Sequence, residues 1–239
     1  MSLPTSMIKR VQTLQTSLQA KAKAEPDYRF YSLWDKVCRS DVLWVAYQRC
    51  RANRGAPGYD GLSFQHIEDH GRVRWLERVQ QELKAEQYRP QPLLRVWIPK
   101  ASGGLRPLSI PTIKDRVVQM AVLLVISPLF ETDLLPNQFG FRPGVDAKMA
   151  IRSAYFGIAQ RGKLEVVDAD LSDYFNTIPH GSLMRCVSRR VTDGTLLKVI
   201  RQWLKVAVIE RQDKQETRTT EAKDRCRGTP QGGIISPAQ

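Results

Sequence analysis

Three carboxylates, Asp168, Asp170 and Asp173, crowd an apolar, β-forming run at residues 166–179, VVDADLSDYFNTIP. On a strand, side chains alternate faces, so Asp168 and Asp170 would point the same way, with Asp170 at the strand's exit. A carboxylate there, followed by a turn with free backbone carbonyls, suits a hard ion such as Mg2+, which binds through one or two carboxylates plus substrate phosphates. Neutralisation of neighbouring arginines and lysines explains the same acids equally well on this stretch alone. A second candidate lies upstream at residues 93–111, LLRVWIPKASGGLRPLSIP, where two β-type runs flank Ser-Gly-Gly, the composition of a hairpin turn. Lys100 and Arg106 border that turn. Glycine lets backbone approach a phosphate and a planar guanidinium can bind two phosphate oxygens at once. The plain alternative is a solvated hairpin with two scattered cations.

Charge narrows the partners. The chain carries 37 Lys and Arg against 24 Asp and Glu, a net +13, with a pI near 9.9. An excess of this size favours a polyanion, because each phosphate neutralised releases condensed counterions. With 239 residues, 42% of them hydrophobic, the chain can bury a core in one large domain or two small ones. Its longest apolar run, residues 120–126, is seven residues long, far below the roughly 20 that span a bilayer. No membrane partner is expected. MSLPTSMIKR has no apolar stretch after its basic residues, so no secretory signal is expected and the expected location is cytoplasmic. Cys38, Cys50, Cys186 and Cys226 form no Cys-x-x-Cys and read as free core thiols. His66 and His70 at i, i+4 could be half a metal site, but without a third ligand they read as surface residues.

The elements that must position these residues follow from periodicity. Ile8, Val11, Leu14 and Leu18 predict a basic N-terminal helix that Pro26 stops. Residues 28–53 predict a second helical region, with Trp34 and Trp44 in the core, and residues 73–87 a third. At residues 112–130 a helix is expected with Thr112 as N-cap, Asp115 three residues on, and a middle that is apolar all round and therefore buried. Residues 164–171 read as a strand. Helices are expected over 181–191 and 196–209, the latter with Leu197, Ile200, Trp203 and Leu204 on one side. Residues 211–225 fit a hairpin or a loop.

Four segments, RPLSIPTIKDR (106–116), NQFGFRPG (137–144), VVDADLSDYFNTIPH (166–180) and RGTPQGGIISP (227–237), occur in an order and at spacings that resemble the reverse transcriptases encoded by group II introns. The resemblance runs from ANRGAPGYDG (52–61) to the last residue. It implies that Asp170 is the first catalytic, metal-binding aspartate of a palm, with the Leu171 carbonyl as a second contact to Mg2+ and Asp168 as a neighbour. Phe175 takes the place of the aromatic steric gate that rejects a 2′-hydroxyl. Lys100 and Arg106 match residues that grip the triphosphate of the incoming nucleotide, and Gln231, with Gly232 beside it, matches the contact to its sugar. Arg142 and Gly144 match the motif supporting the template strand, and Arg116 belongs with this RNA-facing set.

The implied fold is α+β: the fingers and part of the palm of a right-hand polymerase, with a helical N-terminal extension. Expected divisions are residues 1–62 for the extension, 63–160 for the fingers, and 161–239 for the upstream palm with inserted fingers helices. The implied activity is Mg2+-dependent nucleotidyl transfer from dNTP to the 3′-hydroxyl of a DNA primer on an RNA template, together with binding of intron RNA as a maturase. A maturase that does not polymerise, or a reverse transcriptase outside introns, are the alternatives, and a homodimer stays open as the assembly. The family's second carboxylate pair follows a Tyr or Phe, any residue, Asp, Asp pattern. This chain has no Asp-Asp and stops eight residues past Gln231. It therefore reads as truncated before that pair, and no primer extension is expected from these residues alone.

Overall fold

The computed structural model describes residues 3–99, 103–212 and 215–229. Helix α1 (Leu3–Ala24) starts earlier than its periodicity suggests and ends two residues before Pro26. Residues 28–53 do not make one helix. They split into α2 (Trp34–Val37) and α3 (Ser40–Ala52), while Phe30 pairs as an isolated bridge with Val191. Trp34 is buried and its Nε1 donates to the Leu83 carbonyl. Next come α4 (Phe64–Asp69), capped by Ser63, whose side chain accepts from the His66 amide, and α5 (Arg72–Lys84).

Strands β1 (Leu93–Pro99) and β2 (Leu105–Ile110) form the expected hairpin, in register from Leu94 opposite Ile110 to Pro99 opposite Leu105. Helix α6 (Ile113–Glu131) follows and is the centre of the core, with α1 and α3 packed on it. Its residues Val117, Val118, Ala121, Val122 and Val125 are fully enclosed. Such a helix buries its backbone on all sides, so its low amphipathicity is a sign of position and not of weakness.

After α7 (Ala147–Ala159) and the short α8 (Tyr174–Thr177) come α9 (His180–Ser188) and α10 (Gly194–Leu204). Asp193 caps α10: Oδ1 accepts from the Leu196 amide, while Oδ2 accepts from the amides of Leu33 and Trp34, tying α10 to α2. The expected helix to residue 209 stops short. Val208 and Ile209 instead enter β3 (Val208–Gln212), parallel to β1, and β3 hairpins into β4 (Gln215–Thr219). The run Val206-Ala207-Val208-Ile209 is largely β-branched, and the free edge of β1 gives it a ladder. Strand order is β2-β1-β3-β4, and α11 (Glu221–Arg225) closes the described chain.

Two further sequence expectations fail here. Residues 164–171 form no strand: among the described residues no neighbouring strand pairs with them, and Leu164, Val166, Val167 and Leu171 all lie exposed, Val167 at 93%. A strand needs a partner to satisfy its amides and carbonyls, so local propensity alone does not make one. Of the four cysteines, Cys38 and Cys50 are buried, but Cys186 and Cys226 are exposed.

Candidate active site

The β1–β2 hairpin is held at both ankles by one carboxylate. Asp115 is 1% exposed. Its Oδ2 accepts from the Gln91 amide (3.1 Å), just before β1, and from the Thr112 hydroxyl (2.7 Å), just after β2. Its Oδ1 accepts from the Tyr88 hydroxyl (2.7 Å), which in turn accepts from Trp203 Nε1 of α10 (2.9 Å). Burial pushes the Asp115 carboxyl above its ordinary value, partly opposed by the bonds from Tyr88, Thr112 and Gln91. Burial likewise raises the Tyr88 phenol far above its usual range. The sequence suggests a capping box at Thr112. The structure keeps half of it, the Asp115 amide donating to Thr112 Oγ1, and turns the carboxylate to the hairpin instead.

Residues 175–180 and 226–229 are the second juxtaposition. Thr229 N donates to the Phe175 carbonyl (2.8 Å), Gly228 N to the Ile178 carbonyl (2.9 Å) and His180 N to the Cys226 carbonyl (2.9 Å). A carbonyl can only accept, so His180 Nε2 carries the proton in its 2.8 Å contact with the Gly228 oxygen. Gly228 has φ +86°, and a Cβ there would sit 2.9 Å from the Asn176 oxygen, so only glycine permits this approach. Phe175, half-buried on α8, lines a mainly apolar cavity of about 330 Å³ with Tyr174, Ile178, Trp203 and Asp115. The hairpin anchor and the Phe175 segment thus share one cavity wall.

The remaining sequence candidates fall unevenly around this centre. Asp170 and Leu171 are exposed, and Asp170 Oδ1 accepts from the Leu171 amide (2.8 Å). Arg106 is exposed on β2 opposite Ile98. Its side alternates with that of Pro107 and Ser109, which line a cleft of about 390 Å³ with Arg95, Asp173 and Asn176. Lys100, Gln231 and Gly232 lie outside the described residues. Arg116 is 8% exposed: its guanidinium donates to the Ala56 carbonyl and lies over the Phe64 ring at 5.8 Å, and burial lowers its pKa. It fastens the loop at 53–61 to α6. Arg142 is engaged in the same way, by Glu131 and by the carbonyls of Leu135 and Gln138. Gly144 turns beside it with φ +75°.

Three residues of this region do not stand out in the sequence. Asp115 reads there only as a helix-start acid, and Arg95 only as one of many cations. Phe141 is 71% exposed with φ +60°, a conformation that costs a bulky side chain energy and so marks a constrained turn. Its place inside FGFRPG is the one signal the sequence offers.

Among the described residues no three His, Cys, Asp or Glu side chains cluster as a metal centre. The exposed carboxylate of Asp170, with Asp168 and Asp173 close by in sequence, offers hard oxygen donors. That donor set fits one Mg2+ sharing its shell with water and phosphate, and does not by itself fit a pair of ions. No described helix is long and apolar enough to cross a membrane.

Comparison with known proteins bears on this arrangement. Residues 98–239 match the family model described as reverse transcriptase (RNA-dependent DNA polymerase). Protein YkfC of Escherichia coli (strain K12) is 32% identical over 232 residues, covering 95% of this chain and 58% of its own. Group II intron-encoded protein LtrA of Lactococcus lactis subsp. cremoris is 30% identical over 221 residues, covering 88% of this chain and 33% of its own. The chain thus spans between a third and three fifths of these two relatives. A chain of a solved partial Cas6-RT-Cas1–Cas2 complex superposes with a TM-score of 0.53 at 19% identity, over 86% of this chain and 32% of that one, a likeness of fold.

Proposed function

The chain belongs to the reverse transcriptase family, of the kind that group II introns encode, and from that premise we propose that it supplies the nucleotide-binding and template-binding half of an RNA-directed DNA polymerase. The observation that carries this reading is the contact between residues 175–180 and 226–229. It sets the aromatic side chain of Phe175 next to the segment leading to Gln231, as a site closing on the sugar of an incoming dNTP requires. Phe175 lines the apolar cavity together with Trp203, and its ring lies 5.4 Å from that of Tyr174 in an edge-on arrangement.

Asp170, with the carbonyl of Leu171, would hold Mg2+, which when bound neutralises triphosphate charge and lowers the barrier to attack by a primer hydroxyl. The protein's own part is to position and to bind. Asp115 fixes the hairpin that presents Arg106, and Lys100 stands at the same turn in sequence. A guanidinium on a rigid hairpin suits a triphosphate because its donors form a planar fork. Arg116 and Arg142 act on template RNA through the loops they hold closed, with the exposed Phe141 ring offered at the surface for stacking. Partners are therefore template RNA, a DNA primer and dNTP, with intron RNA bound by the basic surface.

The test uses a polypeptide in which these residues are joined to an Asp-Asp pair of the family's pattern. Asp170→Asn abolishes primer extension at unchanged RNA affinity. Arg106→Ala raises the KM for dNTP while template affinity stays as in the parent. Extension that survives Asp170→Asn would overturn the reading.

A further inference from the structure

Helices α9 and α10 separate two very different cavities. Their inner side, with Leu183, Val187, Ile200 and Trp203, closes the apolar space beneath Phe175. Their outer side lines an open cleft of about 1130 Å³, and Leu204 is a wall common to both. The cleft holds Arg29, Arg185, Arg189, Arg190, Arg201 and Lys205 against two carboxylates, Asp27 and Asp133.

These cations do different jobs. Arg190 is 5% exposed and binds Asp133 through two nitrogens and the carbonyls of Glu25 and Pro26, so its charge is matched and it builds the end wall. The other five are exposed, and none has a carboxylate within ion-pair distance among the described residues. Arg185 and Arg189 stand four residues apart on α9 and its C-cap. Arg201 on α10 and Lys205 at its C-cap repeat that spacing on the second helix. Four residues of helix advance about 6 Å, so each helix carries cations at intervals along its length. Met184 and Leu204, both buried, are the apolar part of the lining. No Phe, Tyr or Trp lines the cleft among the described residues, so its exposed cations are the main groups it offers to a nucleic acid.

We propose that this cleft is a second RNA site, which holds the phosphate backbone of a structured RNA on the outer side of α9 and α10, separated from the cavity beneath Phe175 by Leu204 and bordered by His180 and Cys226. Exposed cations without carboxylate partners, spaced along two helices that line one cleft, fit a repeating anion better than a single phosphate, which would need donors converging on one point. A concave groove excludes a flat lipid surface. That the polyanion is RNA rests on the proposed polymerase reading. The contact itself rests on charge and shape, and it is independent of base sequence.

The experiment measures binding of this chain to a fluorescent RNA duplex of arbitrary sequence, by anisotropy, across a series of KCl concentrations. Removing one cation–phosphate pairing lowers the slope of log K against log salt by roughly 0.7 to 0.9. Arg185→Gln combined with Arg189→Gln should lower it by roughly 1.4 to 1.8. The matched control, Arg74→Gln with Arg78→Gln on the exposed side of α5, removes equal charge and should leave the slope near the parent's. RNA carrying 4-thiouridine should crosslink to peptides within residues 185–205 in the unaltered chain. Equal slopes in the cleft and control variants, absence of that crosslink, or displacement of RNA by polyglutamate at matched ionic strength would each overturn the proposal. If Arg106→Ala leaves nucleotide kinetics unchanged while the cleft variant still flattens the slope, the polymerase reading falls and the cleft stands. The opposite pair of results removes only the cleft.

Discussion

Replacing Asp115 by alanine should destabilise the protein by about 2 to 4 kcal/mol. The carboxylate accepts from three donors and is 1% exposed. The Thr112 hydroxyl can rotate while still accepting from the residue 115 amide. The buried Tyr88 phenol loses its acceptor outright, at about 1 to 3 kcal/mol, and the part-buried Gln91 amide loses its acceptor at the smaller cost of a net hydrogen bond, about 0.5 to 1.5 kcal/mol. Against this, removal of a buried carboxylate relieves its desolvation, which keeps the net below the upper end of the sum. Urea unfolding followed by Trp fluorescence checks it, with the slope m expected to stay constant. A loss under about 0.5 kcal/mol, the range of an ordinary surface substitution, would refute the clamp. Asp115→Asn adds a test of sign. Burial raises the folded-state pKa above 3.8, so the folded chain holds the proton more tightly than the unfolded one. The stability this contributes is full below the unfolded value and is lost as pH rises through the folded pKa. Asn carries no such proton, so the parent's advantage over Asp115→Asn should shrink as pH rises above 3.8; an advantage that grows over that range would contradict the assignment.

Gly58→Ala should destabilise by about 1 to 3 kcal/mol or more, since a Cβ there would lie 2.6 Å from the Thr112 amide nitrogen and 2.7 Å from the Pro111 carbonyl oxygen, both backbone atoms that cannot step aside; thermal unfolding reads it directly. Asp193→Ala removes a cap and the acceptor for two further amides, and should cost about 2 to 4 kcal/mol in chemical denaturation, well beyond the ~1 kcal/mol of a cap alone. Within a polymerase carrying this chain, Phe175→Val should increase ribonucleotide incorporation relative to deoxyribonucleotide on the same template, and unchanged discrimination would return Phe175 to the role of cavity lining.

What can be read from the sequence is whatever short-range chemistry decides. Ser-Gly-Gly between two β-type runs fixes the β1–β2 hairpin, and Thr112 before an apolar stretch fixes the start of α6, because turn residues and caps act over three or four positions. Trp34 and the Leu197, Ile200, Trp203, Leu204 side of α10 are buried as their periodicity implies. Residues 164–171 carry the same strand propensity as β1, yet without a ladder partner among the described residues they form no strand. The difference lies in the neighbour and not in the residues.

The cations show the same limit at the level of the site. Arg106, Arg116 and Arg142 all sit in motifs that read as facing nucleic acid, but the structure sorts them by what their donors touch. Arg106 is exposed on a strand, whereas Arg116 and Arg142 are taken up by loop carbonyls and Glu131. A guanidinium has five donors, and a loop that leaves carbonyls unpaired will bind it as readily as a phosphate does. Sequence shows the charge and not which acceptor wins. The outer cleft is the complement: Arg29 comes from a segment more than 150 residues away from Arg185 and Arg189, and its Nε reaches the Ser188 carbonyl. No local pattern foretells that meeting. The unmatched part of the +13 net charge therefore has to be located in three dimensions before it can be given a function, and here a concentrated share of it lies along α9 and α10.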